Sequence, residues 1–241
     1  MLFAKRSTPL TVLSALTAFL LIAALFMVLF YAPTERVMGA VQRIFYFHVG
    51  AAWAGALGFV VTAAAGTFYL ASRKAHWDRI AAASVEVGVV LVTMTLTSGM
   101  VWARASWGTF FPMWDPKLKA VAMMWLVYMA YLLFRQAFAD DERRARFSAV
   151  YGIIALASVL FAFVGVRMLD TAIHPVVIGG GAGVSSADTG LSPRMLHTLL
   201  FSVGAFTSLY ATLVWIKARA LALDAWLLRQ QLTDLKPAPH S

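Results

Sequence analysis

From residue 10 to residue 32 the chain carries no charged side chain. About 20 apolar residues in a helix match the roughly 30 Å hydrocarbon core of a bilayer. Five more stretches have this character: 44–70, 80–103, 120–138, 149–166 and 196–216. Hydrophobic residues make up 61% of the 241 and charged residues 13%, whereas soluble chains average about 45–50% and about 25%. So much apolar surface does not fit inside a water-soluble globule of this size. In hydrocarbon a helix satisfies its own backbone, and the period-2 alternation of a barrel strand is absent. The sequence therefore predicts an all-α, polytopic membrane protein of six transmembrane helices, one membrane domain over 1–241. The first stretch is longer than a signal-peptide core and lacks a clear small-residue cleavage site, so it is taken as a helix.

Lys and Arg set the expected orientation. Thirteen of the twenty fall at the ends and in the even-numbered connections, among them Arg73, Lys74, Arg79, Arg135, Arg143, Arg144, Lys217 and Arg219. This places both termini in the cytoplasm. The outer segments are then 33–43, 104–119 and 167–195, longer than the inner ones and richer in Gly, Pro, Trp and His. The net charge of +9 follows this membrane bias, so nucleic acid is not expected as a partner and membrane lipid is. With no cysteine, disulfides, thiolate metal sites and the Cys-x-x-Cys-His of covalent heme attachment are excluded.

Three histidines gather at the outer boundary: His48 about one turn inside the second helix, His174 in the third outer segment and His197 at the start of the sixth helix. An ionisable group in a membrane is costly to desolvate and is a functional candidate; neutral histidine is also the usual axial ligand of heme iron. Each could equally hydrogen-bond a neighbouring helix. The segment 102–118 holds Trp102, Trp107, Phe110, Phe111 and Trp114 within thirteen residues. Such a cluster fits an interfacial aromatic belt and fits equally a shelf for a large planar apolar ligand. Glu86, in the third helix, reads chiefly as a snorkelling or interhelical hydrogen-bonded carboxyl and alternatively as the lining of an inner path for heme. The run 140–144 reads as a solvated inner loop. Gly179, Gly180, Gly181 and Gly183 lack the Lys-Ser/Thr of a phosphate loop and read as a flexible stretch beside His174. The tail after Ala222 is polar and helical in character and is expected to fray.

Three elements together resemble the tryptophan-rich heme-handling family of cytochrome c maturation, the CcmC or heme exporter protein C family. Trp107-Gly108-Thr109 followed by Trp114-Asp115 resembles its Trp-Gly-x-x-Trp-x-Trp-Asp signature. The stretch Arg43 to Val49 resembles its Arg-x-x-Tyr-x-His-Val element, and Thr171 to His174 its Thr-Leu-His element. Phe110 and Phe111 stand where Trp is common, the signature is one residue longer, and Lys117 stands where Arg is frequent; His197 is not part of the pattern.

The resemblance implies a non-covalent heme b at the outer, periplasmic face, with His48 and His174 as axial iron ligands. Trp107, Gly108, Phe110, Phe111 and Trp114 would form the porphyrin shelf, Arg43 and Lys117 would pair with propionates, and Asp115 would orient a partner or cap the next helix. It implies a carrier rather than an enzyme, and leaves open a lyase-like role in attaching heme to the chaperone. The implied partners are the periplasmic heme chaperone CcmE, the small membrane protein CcmD and the ABC transporter CcmA/CcmB, in the bacterial inner membrane. Two alternatives are a heme-handling subunit of the other cytochrome c synthase system and an ABC exporter permease without a heme site.

Overall fold

The computed structural model describes residues 7–36, 38–165 and 191–234. Six helices in it are long and apolar enough to cross a membrane: α1 (Thr8–Phe26), α2 (Ile44–Ser72), α3 (Ala75–Trp107), α4 (Pro116–Gln136), α5 (Asp141–Phe163) and α6 (Pro193–Asp234). A π-helical turn, Met27–Tyr31, extends α1, and a 3-10 turn, Ala40–Arg43, leads into α2. Among the described residues there is no strand, only an isolated bridge between Glu35 and Gly39.

The helix ends follow from local chemistry. Ser7 caps α1 by accepting from the Leu10 N–H at 3.2 Å, next to a proline whose missing N–H costs nothing in a first turn. The run 140–144 is not a loop but the start of α5. Asp140 accepts from the Arg143 N–H at 2.7 Å, and Asp141 and Glu142 occupy the first turn, where the helix dipole favours negative charge. At 33 residues α3 is about 50 Å long, so it overruns the bilayer core and carries Asp78 and Arg104 to its two ends. Likewise α6 continues as one helix to Asp234, past the apolar stretch that ends near Ile216.

α2 is the centre of the bundle and packs against α3, α5 and α6. Small residues make this possible, because they let backbones approach where hydrophobic burial gives no drive between helices. A Cβ on Gly55 would stand 2.7 Å from Val92 Cγ2, one on Gly58 3.1 Å from the Gly88 Cα, and one on Gly66 3.2 Å from the Ala149 Cα. Hydroxyls lock the same interfaces. Ser84 of α3 donates to the Gly58 carbonyl at 2.7 Å and shares a 2.5 Å hydrogen bond with Tyr210 of α6. On the far side α4 packs on α5 and α3, with Phe59 and Tyr128 stacked at 3.5 Å in the buried core.

α1 lies outside this core, and among the described residues its main partner is α6. Thr17 reaches Ser208 at 2.7 Å and Thr212 at 2.8 Å, while Phe19, Ile22, Phe26 and Phe30 stay exposed, as lipid-facing side chains do.

Candidate functional site

The face carrying residues 107–116 is built by the junctions α1–α2, α3–α4 and the start of α6. His48 lies in the second turn of α2 and is half-buried. Its Nδ1 is 3.1 Å from the Ser98 hydroxyl of α3, and its ring lies so close to Gly99 that a Cβ there would come within 2.9 Å of Cε1. Trp102 follows Ser98 by one helical turn on the same face of α3. Its ring meets Trp107 edge-on, with centroids 5.1 Å apart at 85°.

The aromatic segment is held from both ends. Gly108 stops α3 in the left-handed region at φ 74°, and its N–H donates to the Arg104 carbonyl at 3.1 Å. The Arg104 guanidinium donates back to the Gly108 carbonyl and lies 5.6 Å from the Phe110 ring, a cation–π arrangement. At the other end Asp115 is fully buried. It caps α4, accepting from Lys117 N–H at 2.7 Å and Leu118 N–H at 3.2 Å. Between these anchors Phe110, Met113 and Trp114 are 54%, 64% and 62% exposed. Trp107, Phe111 and Lys117 are half-buried. Large rings left exposed on a braced turn present an apolar shelf.

Arg43 and His197 lie off the His48–Ser98 interface. Arg43 precedes α2 and emerges about 140° round the helix from His48, at 100° per residue. Its Nε is buried with no hydrogen-bond partner among the described residues, as is the Tyr46 hydroxyl. His197 is exposed on α6, with Nδ1 3.4 Å from the Tyr31 hydroxyl; Arg194 lies over the same Tyr31 ring at 4.5 Å. The core-facing residues Met195 and Leu199 pack against Tyr46 of α2, and His197 lies about 160° round from Leu199. It thus faces α1, while His48 faces α3. His174, the Thr171–Ile173 element before it, the glycines at 179–183 and Arg167 lie outside the described residues.

The residues present fit a planar, apolar, anionic metal complex. A half-buried imidazole, a glycine that leaves room at its edge, exposed rings and a buried guanidinium nitrogen without a hydrogen-bond partner among the described residues are the donor and contact types such a ligand takes. Three participants have no signal of their own in the sequence. Ser98 and Gly99 sit in an apolar stretch and gain meaning only from His48 across the interface, and Arg104 reads as a boundary charge. Glu86 is paired with Lys217 of α6 at 2.6 Å, one of the two roles expected for it.

The family described as CcmC, heme exporter protein C, matches residues 1–232. The heme exporter protein C of Bradyrhizobium diazoefficiens is 29% identical over 182 residues, covering 76% of this chain and 67% of its own. A ccmC-like mitochondrial cytochrome c biosynthesis protein of Marchantia polymorpha is 23% identical, covering 88% and 87%. The cytochrome c biogenesis protein CcsA of Prochlorococcus marinus is 35% identical, over 43% of this chain and 31% of that one.

Proposed function

Because the chain belongs to the heme exporter protein C family, which handles heme in cytochrome c maturation and is not an enzyme family, we propose that this multi-pass membrane protein holds heme b at its tryptophan-rich face and presents it to the periplasmic chaperone CcmE. His48 and His174 are the axial ligands in this reading. The observation that carries it is the placement of His48: a helix-borne imidazole at the end of α2, against α3, one turn below the Trp102–Trp107 pair. The rings of Trp107, Phe110, Phe111 and Trp114 cover the macrocycle, and Arg43 and Lys117 serve its propionates.

Two neutral imidazoles saturate the iron, which suits holding and passing on a cargo rather than oxygen chemistry. The tryptophan face is periplasmic in this reading, and the protein sits in the bacterial inner membrane with CcmD and the transporter CcmA/CcmB assisting.

The test is the absorption spectrum of the purified protein with heme. A low-spin, six-coordinate b-type spectrum is expected. His48→Ala and His174→Ala should each lose it and lower occupancy, and external imidazole should restore the low-spin form of His174→Ala. His197→Ala and His76→Ala should leave it unchanged. If His197→Ala loses heme while His174→Ala retains it, the second ligand is wrong; a protein that never takes up heme is the permease alternative.

A further inference from the structure

We propose that Ser98 and Gly99 of α3 clamp the His48 imidazole as its Nδ1–H tautomer, so that Nε2 carries the lone pair directed to iron. The inference deepens the heme-carrying reading and rests on it for the identity of the metal, but the tautomer itself is a property of the chain alone.

The argument is a count of hydrogens. A serine hydroxyl has one hydrogen to donate. Ser98 Oγ donates it to the Thr95 carbonyl one turn below, at 3.1 Å. What Oγ turns toward His48 is therefore a lone pair. His48 Nδ1 stands 3.1 Å from that oxygen, so the hydrogen between them belongs to Nδ1. A neutral imidazole has one N–H and one lone pair; with the N–H on Nδ1, the lone pair is on Nε2. Histidines that ligate metals are commonly fixed in this way, by a hydrogen bond at the other nitrogen.

Gly99 supplies the second constraint. A Cβ at 99 would stand 2.9 Å from His48 Cε1, 3.4 Å from Nδ1 and 3.9 Å from Nε2. The ring thus turns its Cε1 edge toward the space a Cβ at 99 would fill, and of these three atoms Nε2 lies farthest from that space. Any side chain at 99 would push the ring off this seat and break the Nδ1–Ser98 alignment. Ser98 sets which nitrogen is the ligand and Gly99 sets where the ring lies. Both are positioning residues, since neither is required to touch the cargo.

The test reads nitrogen-15 chemical shifts of histidine in the full-length, heme-free protein in lipid nanodiscs, above pH 8, with the His48 signal assigned by its loss in His48→Gln. Wild type should show a protonated Nδ1 and an unprotonated Nε2. Ser98→Ala should shift His48 toward a mixture of tautomers, Ser98→Thr should restore the wild-type pattern, and Gly99→Ala should disturb it with the hydroxyl still present. In heme-loaded protein, Ser98→Ala should bind heme on the order of tenfold more weakly, at the low end of the range for lost supporting contacts. Wild-type His48 protonated at Nε2, or a tautomer indifferent to Ser98→Ala, overturns the clamp whatever heme does. A clamp seen by nitrogen-15 with heme binding indifferent to both His48→Gln and Ser98→Ala overturns the assignment of Nε2 to iron and the heme reading with it. If Ser98→Ala does not fold, the wild-type tautomer alone decides.

Discussion

Gly58 of α2 and Gly88 of α3 meet so closely that a Cβ on Gly58 would stand 3.1 Å from the Gly88 Cα, and 3.2 Å from both the Ser84 carbonyl and the Tyr210 ring. Two of these three neighbours are backbone and cannot yield. Gly58→Ala should lower stability by about 1–3 kcal/mol, the usual cost of overpacking a tight core. Gly204 of α6 has nothing within 4 Å of a Cβ, so Gly204→Ala should be neutral or stabilising by up to about 1 kcal/mol. Thermal unfolding of the two variants in the same detergent compares them directly.

The ion pair between Arg135 of α4 and Asp78 of α3 is bidentate, at 2.7 and 2.6 Å, with both side chains 14% exposed. Removing one partner of a buried pair strands the other. Asp78→Ala should cost about 3–5 kcal/mol, and the double variant Asp78→Ala with Arg135→Met should recover most of it. A double variant no more stable than Asp78→Ala would show that the two residues are not coupled.

Asp115 ties the tryptophan-rich segment to α4. Asp115→Ala should lower stability by about 0.5–2 kcal/mol through loss of the cap, and Asp115→Asn by less. Limited proteolysis should find residues 108–115 more accessible in the alanine variant. Equal cleavage would mean that the cap does not hold the segment.

The exposed Trp114 should matter to heme and the half-buried Trp77 should not. Trp77 sits at the opposite end of α3, stacked on Phe68 at 4.8 Å. Trp114→Ala should weaken heme retention by about 1–3 kcal/mol, roughly five- to hundredfold, while Trp77→Ala leaves it unchanged. Heme content at matched protein level decides, and equal retention would make the aromatic segment an interfacial belt.

Single cysteines at the exposed positions Ser106 and Ala139 should label from opposite sides with an impermeant thiol reagent, Ser106 from the periplasm. The native chain has no cysteine, so the background is silent. Labelling of Ser106 from the cytoplasmic side would move the tryptophan face to the cytoplasm, and labelling of both from one side would mean that α4 does not span.

The six helices were legible because hydrocarbon demands about 20 apolar residues of any span, and each stretch met that demand alone. The site was legible only in part. His48 and the aromatic segment stand out because polar and large rings are conspicuous among Ala, Val and Leu. Ser98 and Gly99 do not: a small residue in an apolar helix has the same composition whether it faces lipid, packing or a histidine, and that choice is made by the neighbouring helix. The start of α5 was hidden for another reason. Acidic residues followed by arginines look like a solvated connection until Asp140 is seen capping a helix N-terminus. His197 shows the converse, since depth alone makes it the equal of His48, and only its direction around α6 separates them.

The hydroxyl contacts of Thr17 span 191 and 195 residues of sequence. Of these six helices the ribosome makes α1 first and α6 last, so α1 acquires these contacts only after the other helices have been synthesised. Until then α1 lacks these hydroxyl partners, while α2 and α3 are already able to pair across a two-residue connection. A chain stalled before residue 208 would therefore hold both partners of the α2–α3 pair but neither of the hydroxyls that fasten Thr17 to α6.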